Sequence, residues 1–261
     1  LIYNNHTGLA TNKGYYEGMD IGEIWGYEAN DLFLSNREVD AYLRQVDLSF
    51  FKSGDKWQRG DLKYIDSDGD GKVDPGKGTL ADHGDLKIIG NNTPRYNYGI
   101  TLDAAYKGFD FSVFFQGIGK RDYWVSGAYF WGATGGMWQS AGFTEHWDFF
   151  RGEDNPLGAN LNAYYPRPLF TSGKNMQTQS RYLQDASYLR MKNIQLGYTL
   201  PKSITSKAGM QSVRVYVSGD NLATISSMSK IFDPETIGGA WGDGKLYPLS
   251  KTISVGLNVN F

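Results

Sequence analysis

The chain has 261 residues, 40% of them hydrophobic, with 28 acidic against 26 basic side chains, a formal net charge of -2 and no cysteine. Disulfides, thiol catalysis and cysteine-based zinc sites are thereby excluded, and no basic field is available to hold nucleic acid. Mean hydropathy is -0.46 and no run reaches the ~18 apolar residues of a spanning helix, so an integral membrane protein with this sequence has to be a β-barrel, whose apolar residues alternate with polar ones.

Aromatic residues make up 15% of the chain, with 18 Tyr and 7 Trp. That content suits the interfacial girdles of a barrel and equally a surface that stacks sugar rings. The chain begins Leu1-Ile2-Tyr3-Asn4 with neither Met nor a signal-peptide pattern, and it is expected to be the C-terminal fragment of a longer polypeptide.

Residues 1–60 are mixed and rich in Gly and Tyr, with one helix signal. Ser35-Asn36-Arg37-Glu38 has the form of a capping box, and Val39, Tyr42, Leu43 and Val46 follow at helical spacing. From Arg95 the period changes to two. Tyr96, Tyr98, Ile100, Leu102, Ala104 and Tyr106 share one strand face, opposite Arg95, Asn97, Gly99, Thr101 and Asp103. Lys107-Gly108 turns the chain, and Phe109, Phe111, Val113 and Phe115 return against Asp110, Ser112 and Gln116. Each arm of this hairpin is about as long as the ~9–11 residues that a tilted strand needs to cross a bilayer.

Residues 119–186 lose all periodicity and gain Gly, Asn, Pro and aromatics, a length that implies a functional loop. Ile194, Leu196, Tyr198 and Leu200 then alternate with Asn193, Gln195, Gly197 and Thr199 until Pro201. A further strand places Val213, Val215 and Val217 opposite Ser212, Arg214, Tyr216 and Ser218. After a second long loop at 223–247 comes the clearest strand of all, with Ile253, Val255, Leu257, Val259 and Phe261 on one face and Thr252, Ser254, Gly256, Asn258 and Asn260 on the other.

Short connections near 106–108 and 201–211 thus alternate with long ones at 119–186 and 223–247. Outer-membrane barrels have short periplasmic turns and long extracellular loops, which puts Phe261 at the periplasmic end. The predicted fold is all-β: about five C-terminal strands (94–261) of a large antiparallel transmembrane barrel, preceded by an extracellular loop region (1–93). Five strands cannot close a barrel, so the rest comes from another polypeptide or a preceding segment. A secreted, soluble β-sandwich that binds carbohydrate gives the same alternation and is the competing interpretation.

At the level of motifs the chain resembles the C-terminal portion of SusC/RagA-type TonB-dependent outer-membrane transporters of Bacteroidetes-like bacteria. The resemblance is carried by Gly22-Glu23-Ile24-Trp25-Gly26-Tyr27, by Gly60-Asp61-Leu62-Lys63-Tyr64-Ile65-Asp66-Ser67-Asp68-Gly69-Asp70-Gly71-Lys72-Val73-Asp74, and by Ile89-Gly90-Asn91 with Pro94. Tyr98-Gly99, Gly108-Phe109-Asp110-Phe111-Ser112, Tyr188-Leu189-Arg190-Met191-Lys192-Asn193, Gly197-Tyr198-Thr199-Leu200-Pro201, Arg214 through Leu222 and Tyr247-Pro248 continue in the family's order. What the resemblance implies is a plugged barrel of about 22 strands, a TonB contact made through an N-terminal plug, and a SusD-like surface lipoprotein that caps the barrel and delivers oligosaccharides or, in some members, peptides. It also implies that the final aromatic strand is the signal for barrel assembly.

Two groups of residues are candidate sites. Asp66, Asp68, Asp70 and Asp74 fall at positions 1, 3, 5 and 9 of a calcium loop, with Gly71 at position 6 and the Lys72 carbonyl at position 7. Lys77 stands at position 12, where a bidentate carboxylate belongs, so the closing ligand is expected to be Asp85 or else Asp82; the alternative is an Asp/Gly-rich turn without an ion. The calcium would be structural, ordering an extracellular loop. The second group is aromatic: Trp124, Tyr129, Trp131, Trp138 and Trp147 in the first long loop and Trp241 in the last. They are candidates for contact with substrate or the lid protein, against the alternative that they form the loop's own small core.

Catalysis finds no frame. His6, His83 and His146 lie far apart in sequence, without metal-ligand spacing. The carboxylates Glu145 and Asp148 are an unremarkable pair, and neither Gly117-Ile118-Gly119-Lys120 nor Gly132-Ala133-Thr134-Gly135-Gly136 has the strand-then-helix context of a phosphate loop.

Overall fold

The computed structural model describes residues 15–51, 55–133, 142–170, 173–239 and 244–261. In chain order the elements are β1 (Glu23–Gly26), β2 (Ala29–Leu32), α1 (Asn36–Leu43), β3 (Leu62–Tyr64), β4 (Lys87–Asn91), β5 (Arg95–Tyr106), β6 (Phe109–Lys120), β7 (Asp122–Tyr123), α2 (Ala128–Trp131), β8 (Gln184–Asp185), β9 (Tyr188–Thr199), α3 (Lys202–Thr205), β10 (Ser212–Ser226) and β11 (Thr252–Asn260). They form two compact units: a strand unit of residues 94–121, 185–239 and 245–261, and a loop unit of the described residues within 15–93 and 122–184.

The strand unit is one five-stranded sheet in the order β11-β10-β9-β6-β5, every neighbouring pair antiparallel. Its registers align the sequence alternation across all five strands. One row runs Ala104, Phe111, Leu196, Val217, Val255, and the next runs Tyr106, Phe109, Tyr198, Val215, Leu257. The opposite face carries Asp103, Ser112, Gln195, Ser218 and Ser254 in one row. Nothing in the unit covers most of the apolar face: Ile253, Val255 and Leu257 are 74%, 75% and 62% exposed. A soluble sandwich would bury that face against a second sheet.

Strand ends differ from the expectation in an informative way. β9 starts at Tyr188, five residues before the expected strand, because an extra residue near Lys192 shifts the register and inverts its odd-even phase. β10 runs on to Ser226, inside the expected second long loop, through an irregularity between Asp220 and Ala223 where Asn221 adopts φ 53°. Lys107 (φ 48°) and Gly108 (φ 88°) make the two-residue hairpin turn expected between β5 and β6.

On the polar face, side chains are locked over the strands. Arg214 Nε donates to Asp110 Oδ2 at 2.9 Å, and the Tyr216 ring lies so close over Gly256 that a Cβ there would meet Tyr216 Cζ at 2.1 Å. Only glycine tolerates that ring position.

The loop unit has a core of its own. Small antiparallel pairs, β1 with β4 and β2 with β3, frame it. Helix α1 begins as its sequence indicates: Ser35 Oγ accepts the Glu38 N–H at 3.2 Å, while the Glu38 carboxylate takes the Leu34 N–H at 2.9 Å and Val39 is buried. Phe33, Leu48, Leu62, Tyr64 and Val73 from the first segment are buried, as are Phe130 and Tyr182 from the second. Phe51 stacks on Tyr64 with ring centroids 4.3 Å apart. Backbone hydrogen bonds join the segments directly, Tyr27 N–H to Thr178 O at 2.9 Å and Ser180 N–H to Tyr27 O at 3.0 Å.

Candidate functional site

The aspartate loop is built by its own backbone. Asp66 Oδ1 accepts the Gly69 N–H at 2.6 Å and Oδ2 the Gly71 N–H at 2.9 Å, and Gly71 takes the φ of 86° that position 6 of a calcium loop requires. Val73 is fully buried, and Asp47 pairs with this part of the loop through Asp47 N–H to Gly71 O (2.8 Å) and Val73 N–H to Asp47 O (2.9 Å).

Carboxylate oxygens of Asp66, Asp68 and Asp85 come within 4.8 Å of one another, the one such cluster of potential metal ligands among the described residues. Asp85 is buried and accepts the Ser67 N–H at 2.6 Å and the Asp74 N–H at 2.8 Å. Burial pushes its carboxyl up, and Asp68 and Asp66 push in the same direction, against those two hydrogen bonds. Hard oxygen donors converging with uncompensated negative charge fit a hard cation.

Asp70 and Asp74 are engaged otherwise: the Lys72 ammonium lies 3.3 Å from Asp70 and 2.7 Å from Asp74. That hydrogen bond holds the Asp74 carboxyl below its usual range. Asp82 pairs with Lys77 at 3.0 Å. Of the expected ligands the structure therefore brings together Asp66, Asp68 and Asp85, while Asp70 and Asp74 hold Lys72.

The aromatic candidates divide. Phe130 and Trp131 are buried and meet Tyr182, Trp131 at 5.1 Å between ring centroids; Trp124 is half-buried and lies 5.8 Å from Trp131. Tyr129 is exposed, and Trp147 is 62% exposed. Trp147 is nevertheless held in place. Arg151 lies over it and over Phe149, at 5.7 and 4.9 Å, and donates to Trp147 O and Gly158 O. Trp138 and Trp241 lie outside the described residues.

Sequence reasoning missed the polar knot at the centre of the loop unit. Asp61, fully buried, accepts from Arg167 Nε (2.7 Å), Gln58 N–H (2.8 Å) and Asn175 Nδ2 (3.0 Å), and lies 2.7 Å from the Lys174 ammonium. Lys174 is itself buried, over Trp57 at 4.8 Å. Its partners are more than a hundred positions away, so no local pattern announces it. The two described histidines are each held by the backbone, His146 by Phe143 N–H and Phe130 O and His83 by Gly84 O, and His6 lies outside the described residues. Asp148 accepts from Asn160 Nδ2 and Tyr164 N–H, a turn-fixing role.

A run of antiparallel strands with a largely uncovered apolar face, a cross-linked polar face and long structured loops defines a wall segment of a transmembrane β-barrel. No family model matches the chain. It is 32% identical to the TonB-dependent receptor P3 of Formosa agariphila over 263 aligned positions, covering 94% of this chain and 22% of that receptor. With the TonB-dependent receptor P26 of the same organism it shares 28% identity over 215 positions, 77% of this chain and 20% of that protein. Among solved structures it is similar to the RagAB peptide transporter, with a TM-score of 0.58 and 24% identity over 92% of this chain and 23% of the other. By this likeness over most of its length the chain belongs to the TonB-dependent receptors, and it spans about a fifth of the length of the curated relatives it matches; the solved neighbour shares its fold.

Proposed function

We propose that this chain supplies wall strands and outer loops to a TonB-dependent outer-membrane importer that takes up oligosaccharides with a SusD-like surface lipoprotein. The observation that carries the reading is the apolar face of the five-stranded sheet, uncovered from β5 to β11, and the TonB-dependent relatives support it. The segment's role is passive: it catalyses nothing, and energy comes from TonB acting on the plug of the complete receptor. β11 runs toward the periplasm, and of the aromatic candidates the exposed Tyr129 and Trp147, with Trp138 and Trp241, serve substrate or lid contact, whereas Trp131 and Trp124 pack the loop's own core. Calcium, held by Asp66, Asp68 and Asp85, orders the aspartate loop.

A second reading replaces the oligosaccharide by a peptide, and the likeness to a peptide transporter favours it. Growth separates them. Deleting the complete receptor in its native bacterium should abolish growth on its oligosaccharide while growth on peptides persists; loss on peptides alone would replace the first reading with the second. Purification of the tagged receptor should bring down a lipoprotein, and its absence would remove that partner. For the metal, hydrogen exchange of residues 66–85 in the purified receptor should slow with calcium and quicken with chelator, and Asp85→Ala should abolish the difference. Exchange indifferent to calcium would leave an ion-free turn.

A further inference from the structure

The connection that leaves β10 folds back onto the sheet. Across the polar face, Gly99, Gln116, Arg190 and Thr224 stand in one row. From that row Arg190 reaches into the connection: Nη2 lies 2.7 Å from Asp233, Nη1 lies 2.7 Å from Glu235, and Nε donates to Thr224 Oγ1 at 2.9 Å. Lys192 adds a second cation on Glu235 at 2.9 Å. Asp233 also takes the backbone N–H of Glu235 (2.9 Å) and of Leu249 (3.3 Å), which ties the far end of the connection to the same point. Arg190 and Asp233 are almost completely enclosed. Met228, Phe232 and Ile237 in the same stretch are buried, and Ser226 Oγ donates to Ser187 O at 2.9 Å to fix its root.

A mobile surface loop neither buries its apolar residues nor encloses a guanidinium with a carboxylate, because taking charge out of water is costly and only a fixed geometry offsets it. We propose that residues 227–239 are a strap locked by Arg190 across the polar face of β9 and β10, so that in the closed barrel this part of the interior is covered by protein instead of lying open to the channel. The word interior rests on the barrel reading; the lock does not.

Hydrogen exchange on the complete receptor in detergent tests the lock. Amides of 228–239 should be protected in the unmodified protein, and Arg190→Gln should speed their exchange by about 10-fold or more while β9 and β10 remain protected. The double change Asp233→Asn with Glu235→Gln, which leaves the strands untouched, should do the same. Arg214→Gln, which breaks the Asp110 pair elsewhere on that face, should leave 228–239 protected. Heat-modifiable migration on gels reports the barrel separately, so a failure of the barrel reading is seen as its loss in the unmodified receptor. Fast exchange of 228–239 in the unmodified receptor, or equal protection after Arg190→Gln and the double change, would overturn the strap.

Discussion

Two buried carboxylates show how much depends on partners brought from distant parts of the chain. Asp61 neutralises Arg167 and Lys174 together. Removing it as Asp61→Asn takes the nearest carboxylate from both cations and leaves only the more distant Asp55, 3.8 Å from Arg167, and the cost should be about 3–5 kcal/mol. Lys174→Met, which leaves Asp61 with Arg167, Gln58 and Asn175, should cost clearly less; thermal unfolding of the receptor monitored by exchange in the loop unit ranks the two, and equal costs would contradict the assignment. Asp233 makes a pH prediction. Burial alone would raise its carboxyl, but Arg190 and the N–H groups of Glu235 and Leu249 outweigh burial and hold it below its ordinary value. A depressed carboxylate contributes stability above the unfolded value, about 3.9 for Asp, and loses it as pH falls through the folded value. Protection of 228–239 should therefore persist through neutral pH and weaken only as the medium falls below about 4.

Among the elements, the long strands are the informative ones, because a register aligned over five of them turns a local alternation into two chemically opposite surfaces. Val217 lies in the middle row of the apolar face and Ser218 beside it on the polar face. In the complete receptor folded into lipid vesicles, Val217→Arg should cost about 2–4 kcal/mol, as charge does on a lipid face near the midplane, and Ser218→Arg well under half of that. Equal costs in a urea titration would remove the lipid assignment. The same strands explain why half of β9 escaped detection: its odd-even phase inverts near Lys192, so Leu189 and Met191 read out of step with Ile194 and Leu196. β10 likewise runs past residue 223, where the second long loop is expected to begin, because the chain accommodates Asp220–Ala223 as an irregularity within a continuing strand.

At the scale of the whole molecule, β5 and β11 are the two edges of the sheet, and each presents unpaired backbone groups that a barrel would pair with further strands. Expressed by itself, the chain should be recovered aggregated or dependent on detergent. Gel filtration in buffer alone checks this, and a monodisperse, folded, soluble monomer would count against the barrel reading. The loop unit has its own aromatic core and polar knot, so its exchange pattern should be largely kept when the apolar face of the sheet is perturbed.

The strand class, the hairpin at Lys107-Gly108, the cap of α1, the left-handed glycine of the aspartate loop and the family resemblance were all legible in sequence, because each depends on residues a few positions apart whose chemistry the backbone period makes explicit. Tertiary structure alone decided the rest. It divided the aromatic candidates into a buried Trp131, a half-buried Trp124 and exposed Tyr129 and Trp147, put Asp85 with Asp66 and Asp68 while giving Asp70 and Asp74 to Lys72, and assembled Asp61 with Lys174 and Arg190 with Asp233. Apart from Lys72 with its two near neighbours, those pairings join residues 17 (Asp68 and Asp85) to 113 (Asp61 and Lys174) positions apart. Burial and charge compensation at such distances are properties of the folded chain's packing, and no local period encodes them.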